Sequence, residues 1–404
     1  MAIIGDLFEI KSIEKNINQS ISDEKINEKY LKGEIRIITE QARYPLDTIS
    51  TMLASGKYEL NPEYQRRKRW GIIQQSKLIE SFIINVPIPP IFLYEVQYAK
   101  YEVMDGLQRL TAIDDFYNCK FKLRGLEEWK ELNGKTYEQL PSKIREGIDR
   151  RYLSSIVLLN ETAKNKEDAE FLKQIVFGRL NSGGDKLTPQ ETRNALYGGV
   201  FNNYCIQLSK DENFRNLWSF PQYIFSDDGK IINEEELLSS GDSYRAMEDV
   251  ELVLRFFAYR HFEKLSAFKS QEKFIDEYLN QANSFTENTI NELGRLFKEC
   301  VELLNLIFNS EAFYMPDTTQ KKTTATKTVY DPLMQSISKL IDKKTILIDK
   351  ANQIRSSKFG DKENLLILGK EKNNELFDGK YNSKNNIESR IKYFDNFFQS
   401  ILNS

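Results

Sequence analysis

The stretch YEVMDGLQRLTAI, residues 101–113, changes its period at one glycine. Before Gly106 the residues alternate as in a strand; after it Leu107, Leu110, Ile113, Phe116 and Tyr117 return at helical spacing. A strand, a tight turn and a helix joined this way leave the first helical N–H groups unpaired, at the positive end of the helix dipole. Such a junction is an anion cradle by construction. Arg109, one turn into the helix, carries a planar fork suited to phosphate, and Asp105 at the strand end is placed to hold a cation or orient a water. Gln108 is placed to position either of these. The same residues have a plainer reading, in which Asp105 caps the helix and Arg109 pairs with it or with a surface acid.

Working outward, PIPPIFLYEV (87–96) is a proline-led β run, so it and YEVMDG form a strand pair. SSIVLLN (154–160) is a further buried strand. LDTISTMLASG predicts a short helix with Asp47 as N-cap and Gly56 as stop, and a second helix follows Trp70 through Ile72, Ile79, Phe82 and Ile83. DAEFLKQIVFGRLN is helical. After it, Thr188, Pro189 and Glu191 form a capping box, and Gly198 and Gly199 are placed to end the helix so begun. From about residue 200 the pattern is almost wholly helical: RAMEDVELVLRFFAYRHFEK, QEKFIDEYLNQA, TINELGRLFKECVELLNLIF, DPLMQSISKLI and SRIKYFDNFFQSILN. The Thr/Lys tract PDTTQKKTTATKT (316–328) reads as an exposed loop.

The composition excludes several chemistries. The 404 residues are 40% hydrophobic, enough for an ordinary core, and the net charge of −3 rules out a bulk polycation. There is one histidine, His261, inside an apolar helical pattern. Serine–histidine hydrolases, His-rich metal sites and HNH nucleases all need imidazole as base or ligand, and in that apolar pattern His261 reads as a surface or core histidine rather than a catalytic one. Cys119, Cys205 and Cys300 are too far apart for a zinc site and are not an even disulfide framework, which fits a reducing cytosol. The acidic N-terminus has no apolar core of a signal peptide, and the longest apolar run, FIINVPIPPIFLY, is broken by Asn85 and three prolines. A cytoplasmic protein away from the membrane is expected.

Two other clusters bear on function. In NPEYQRRKRW, Arg66, Arg67, Lys68 and Arg69 precede an amphipathic helix, a basic loop for the phosphates of a nucleotide or a nucleic acid. Trp70 reads as a core anchor. In RLNSGGDKLTPQETRN, the Gly-Gly turn beside Asn181 and Ser182 is either a backbone nest for an anion or a plain connection. GKT at 134–136 is not a P-loop, since Trp129 occupies the place of the required glycine.

Taken in order, YQR (64–66), Trp70, PIPPIFL (87–93), DG-x-QR (105–109) and LNSGG…ETRN (180–194) resemble the N-terminal domain of GmrSD-type restriction enzymes, the domain of unknown function 262. RAMEDVELVLRFFAYR resembles the helical segment downstream of it in stand-alone members. The resemblance implies an α+β chain. A polar lead-in arm (1–35) precedes a ParB/sulfiredoxin-like domain with a small mixed sheet (36–200) and a mostly helical domain (201–404). It also implies prokaryotic anti-phage defence, with a DGQQR motif serving nucleotide binding and NTP hydrolysis coupled to DNA sensing or cleavage. By position the motif is Asp105, Gly106, Gln108 and Arg109, with Leu107 in place of the first glutamine. The expected assignments are catalytic work by Asp105, Gln108 and Arg109, and phosphate binding by Tyr64, Arg66, Gly106, Arg109 and Asn181. Mg2+ is expected at Asp105, with DNA contacts at Arg67, Lys68 and Arg69. The expected partners are a nucleoside triphosphate, modified phage DNA, a partner nuclease chain and further copies of the chain. HNH activity is expected to be absent or supplied by that partner. The alternatives are a DNA-binding protein or nuclease using the same DG-x-QR surface, and a non-catalytic subunit of a defence or toxin–antitoxin complex.

Overall fold

The computed structural model describes residues 22–31, 37–60, 70–159, 166–180, 188–239, 241–267, 270–314, 325–356, 377 and 384–404. The described residues up to Leu196 form one compact unit and those from Tyr197 a second. No helix among them is long and apolar enough to cross a membrane.

The first unit runs α1 (Asp23–Leu31), β1 (Thr39–Pro45), α2 (Ile49–Ala54), β2 (Tyr58–Glu59), α3 (Ile72–Ile83), β3 (Ile91–Gln97) and β4 (Lys100–Asp105). It continues through α4 (Leu107–Tyr117), α5 (Ser142–Asp149), β5 (Tyr152–Leu158), α6 (Lys166–Leu180) and α7 (Pro189–Leu196). The five strands lie in the order β1-β5-β3-β4-β2. Antiparallel pairs β1/β5 and β3/β4 alternate with parallel pairs β3/β5 and β2/β4, so the sheet is mixed and the fold α+β. The β run led by Pro89 and Pro90 and the YEVMD run are therefore the adjacent pair that alternation predicts.

Period two decides which side chains meet the helices. Ile91 and Leu93 of β3, Val103 of β4, and Leu153 and Val157 of β5 are buried in one cluster with Leu78, Ile79 and Phe82 of α3 and Leu110, Ile113 and Phe116 of α4. On the alternate positions Tyr94, Glu102, Met104 and Leu158 are also buried, and Lys173 of α6 reaches Glu102 at 2.5 Å. Glu80 of α3, only 6% exposed, accepts the backbone N–H groups of Glu127, Glu128 and Trp129 at 2.9–3.2 Å and so fixes the loop after α4.

One local expectation is corrected. Asp47 does not cap a helix: Leu46–Thr48 is a 3-10 turn, and α2 starts after Thr48 with no side-chain cap. The buried Leu46, whose N–H bonds Arg151 O at 3.1 Å, draws the chain into that tighter turn. The Thr188–Glu191 capping box is present, with Thr188 N–H donating to Glu191 Oε2 at 2.7 Å, and α7 ends at Leu196, just ahead of Gly198 and Gly199.

The second unit contains α8 (Val200–Leu208), α9 (Glu212–Leu217), α10 (Glu234–Ser239), α11 (Asp242–Arg245) and α12 (Glu248–Ala258). After these come α13 (Gln271–Ala282), α14 (Glu287–Phe308), α15 (Lys327–Ser338), α16 (Lys344–Asp349), α17 (Ala351–Ser356) and α18 (Lys384–Asn403). Its core is aromatic: Phe201, Phe214, Phe256, Phe257, Phe297 and Tyr330 are fully buried. The single helix predicted over residues 245–264 is broken twice. Met247 takes a left-handed φ of 56°, and a 3-10 segment follows Ala258 with non-helical angles at His261, which is buried. The Thr/Lys tract is not all loop, because α15 begins at Lys327 and carries Pro332 in its interior. All three cysteines are free, and burial pushes the Cys205 and Cys300 thiols well above their ordinary range, so neither is poised as a nucleophile.

Candidate functional site

The β3/β4 register sets Asp105 opposite Phe92, which brings Gly106 against Ile91. Gly106 is the N-cap of α4 at φ 97°, ψ 10°, a left-handed conformation suited to glycine. A Cβ there would lie 2.3 Å from Ile91 Cγ2 and 2.9 Å from Arg109 Nη2, so space as well as backbone demands glycine. Leu107, in the place of the motif's first glutamine, packs against the core cluster and docks the first turn.

With Gly106 as N-cap, the Asp105 carboxylate does not cap the helix. Its Oδ2 instead accepts from Arg109 Nη2 at 2.6 Å, one turn on, and the same nitrogen reaches the Pro90 carbonyl at 3.3 Å. The pairing weighed from spacing is therefore present. It is incomplete on both sides: the Asp105 side chain is 49% exposed, and Arg109 Nε is buried with no hydrogen-bond partner among the described residues. Gln108 turns elsewhere, its Oε1 accepting the Trp70 N–H at 3.0 Å. The Trp70 ring, half-buried, packs against the core as an anchor.

Tyr64, Arg66, Arg67, Lys68, Arg69 and Asn181 lie outside the described residues. The residues brought together at the junction are Asp105, Gly106, Gln108 and Arg109. Two participants escaped sequence reading: the Pro90 carbonyl, which gives PIPPIFL a part in holding Arg109, and the Trp70 backbone. Backbone groups carry no residue-type signal, although both lie within motifs that stood out. Glu80 was missed as well, and its signal was a polar i, i+4 pair, Ser76 and Glu80, set in an apolar helix face.

A cavity of about 300 Å³ in this unit lies at the opposite end of β4, lined by Lys57, Glu59, Gln97, Lys100 and Tyr101. Lys100 and Asp105 mark the two ends of one strand, about 17 Å apart at strand rise. The cavity carries mixed charge and none of the motif residues, so the junction at Gly106 is the better functional candidate.

Strand, left-handed glycine, helix N-terminus and anchored arginine meet at one turn on a small mixed sheet, a geometry of the kind that suits an anion. Residues 49–198 match the family model described as GmrSD restriction endonuclease, N-terminal domain. That stretch is thus similar to the domain whose motifs it carries in order; β1 lies just before it. Comparison with curated proteins and with solved structures returns no match.

Proposed function

We propose that the junction at Gly106 binds the phosphates of a nucleoside triphosphate and supports its hydrolysis, coupled to DNA sensing or cleavage in defence. The observation that carries this reading is the state of Arg109. Its guanidinium is fixed by Asp105 and Pro90 beside the open N–H groups of α4, while its Nε stays buried and unengaged among the described residues. A buried donor without a partner costs about 1–3 kcal/mol, which an anion at the turn would offset. A cation already held in place also needs no reorganisation when phosphate charge develops.

Magnesium fits this set only as an ion arriving with the nucleotide. Among the described residues no cluster of three or more His, Cys, Asp or Glu could hold one, whereas Asp105 keeps its Oδ1 clear of Arg109. When bound, the ion neutralises phosphate charge. The chain's own share is to orient the phosphates through the α4 N–H groups and Arg109, with Asp105 fixing the arginine.

The test is phosphate release by the wild type against Arg109→Ala. A loss of roughly a hundredfold is expected, the size of a removed charge-stabilising donor. Equal rates overturn the reading. Binding of duplex DNA that falls steeply with salt and ignores nucleotide would assign the turn to a DNA backbone instead.

A further inference from the structure

The helical unit holds a cavity of about 220 Å³ where four of its helices meet. Lining it are Arg255 of α12, Gln271 of α13, Lys327, Thr328 and Asp331 of α15, and Arg390 of α18. Three cations thus line it against one carboxylate, and that carboxylate is already met: one Asp331 oxygen accepts Arg255 Nε at 3.1 Å and the other accepts Nη2. The third guanidinium nitrogen, Nη1, is left over. Glu251 Oε1 lies 3.8 Å from it, beyond hydrogen-bond reach, and no acceptor among the described residues bonds it, although Arg255 is only 8% exposed. Arg390 is more deeply buried still.

α15 begins at the same cavity. Thr326, its N-cap, makes no side-chain cap, so the N–H groups of Lys327 and Thr328 have no acceptor among the described residues, at the positive end of the helix dipole. Lys327 Nζ meets Glu248 and Glu251 at 3.1 Å each, but neither acid lines the cavity.

We propose that this cavity binds a phosphate group, making an oxyanion site in the helical unit that is separate from the turn at Gly106. The sign of the ligand follows from the lining, and its shape from the donors: they come from α12, α15 and α18, and a phosphate offers at least three acceptor oxygens to meet them. Arginine forks and open helix N-termini are the groups that favour such an anion. Room is not limiting, since a single water needs only roughly 10–15 Å³. The phosphate is either the free ion or the ester of a nucleotide.

The experiment uses the full chain carrying Arg109→Ala, which removes the guanidinium at the Gly106 turn. It is titrated by calorimetry with inorganic phosphate and, in parallel, with adenosine monophosphate, at constant ionic strength. Saturable binding is expected, and Lys327→Gln should weaken it roughly tenfold or more, the scale of one charge-assisted hydrogen bond. Thr328→Glu places a carboxylate in the first turn of α15, where the dipole stabilises it. It should keep or raise the melting temperature and abolish the phosphate heat, so the test stands even if Lys327→Gln does not fold. Tighter binding of the monophosphate than of the free ion assigns the site to a phosphate ester, and weaker binding assigns it to inorganic phosphate. No saturable heat from either probe, or binding that a folded variant leaves unchanged, overturns the inference.

Discussion

In the helical unit Arg255 binds Asp331 through two guanidinium nitrogens with both side chains about nine-tenths buried, and Arg215 meets Asp249 at 3.0 Å in a fully buried pair. In the sheet unit Arg109 meets Asp105 at 2.6 Å, but the aspartate is half exposed and the arginine keeps a buried donor without a partner among the described residues. The same two residue types thus serve different ends. A buried pair must be complete, because charge taken out of water is tolerated only when its partners replace the lost solvation. A pair left incomplete at a helix N-terminus stays available for a ligand, at some cost in stability.

The largest expected effect tests the complete pair. Arg255→Met leaves Asp331 buried and uncompensated, and should cost about 3–5 kcal/mol in denaturant unfolding. Arg109→Ala, by contrast, should cost about 1 kcal/mol or less through the pair, since the Asp105 carboxylate left behind is half exposed and water solvates it. Similar losses for both would break the comparison.

Next comes the junction itself. Gly106→Ala imposes a left-handed alanine and a Cβ within 2.3 Å of the buried Ile91, so a loss of about 2–4 kcal/mol is expected from strain and overpacking. A thermal melt matching wild type would show that β3 yields easily and that the turn is not fixed.

Glu80 sharpens the contrast, because the sheet unit also completes a charge when it buries one, using backbone N–H groups instead of an arginine. Glu80→Gln turns an amide NH2 toward donors that need an acceptor, and about 1–3 kcal/mol should be lost on unfolding. An unchanged stability would mean that the loop at 127–129 is held by other contacts.

The smallest effect is a gain. Ala99 holds a φ of 59° in the two-residue link between β3 and β4, and Ala99→Gly should relieve about 0.5 kcal/mol of left-handed strain, read as a small rise in melting temperature. A fall would mean that the strain is already absorbed by the hairpin.

Much of this fold was legible wherever burial follows a period. β3, β4, β5, α3 and α4 each set apolar side chains at a regular spacing against the shared core, and the sequence shows that spacing. β1 was not legible, because TEQARYP is an exposed edge strand whose pairing with β5 is made by backbone groups. β2 is two residues long and carries no pattern. The helix start at Lys327 was missed because Pro332 suggests a first-turn position, yet a proline in the second turn loses only one backbone bond in an otherwise buried helix. The helix breaks at Met247 and His261 leave the apolar pattern intact and so leave no trace in the sequence.

For the site, the sequence alone determined the junction: a change from period two to period 3.6 at a residue that had to be glycine, with Asp105 and Arg109 spaced to meet one turn apart. Those are local facts, set by backbone geometry within a few residues. Only the tertiary structure decided where the polar atoms are spent: Arg109 on the Pro90 carbonyl 19 residues away, Gln108 on the Trp70 N–H 38 residues away, and Arg109 Nε on nothing among the described residues. A hydrogen bond needs its atoms within about 3 Å at a narrow angle. Spacing along the chain does not encode that geometry; the packing of α3, β3 and α4 around one core does.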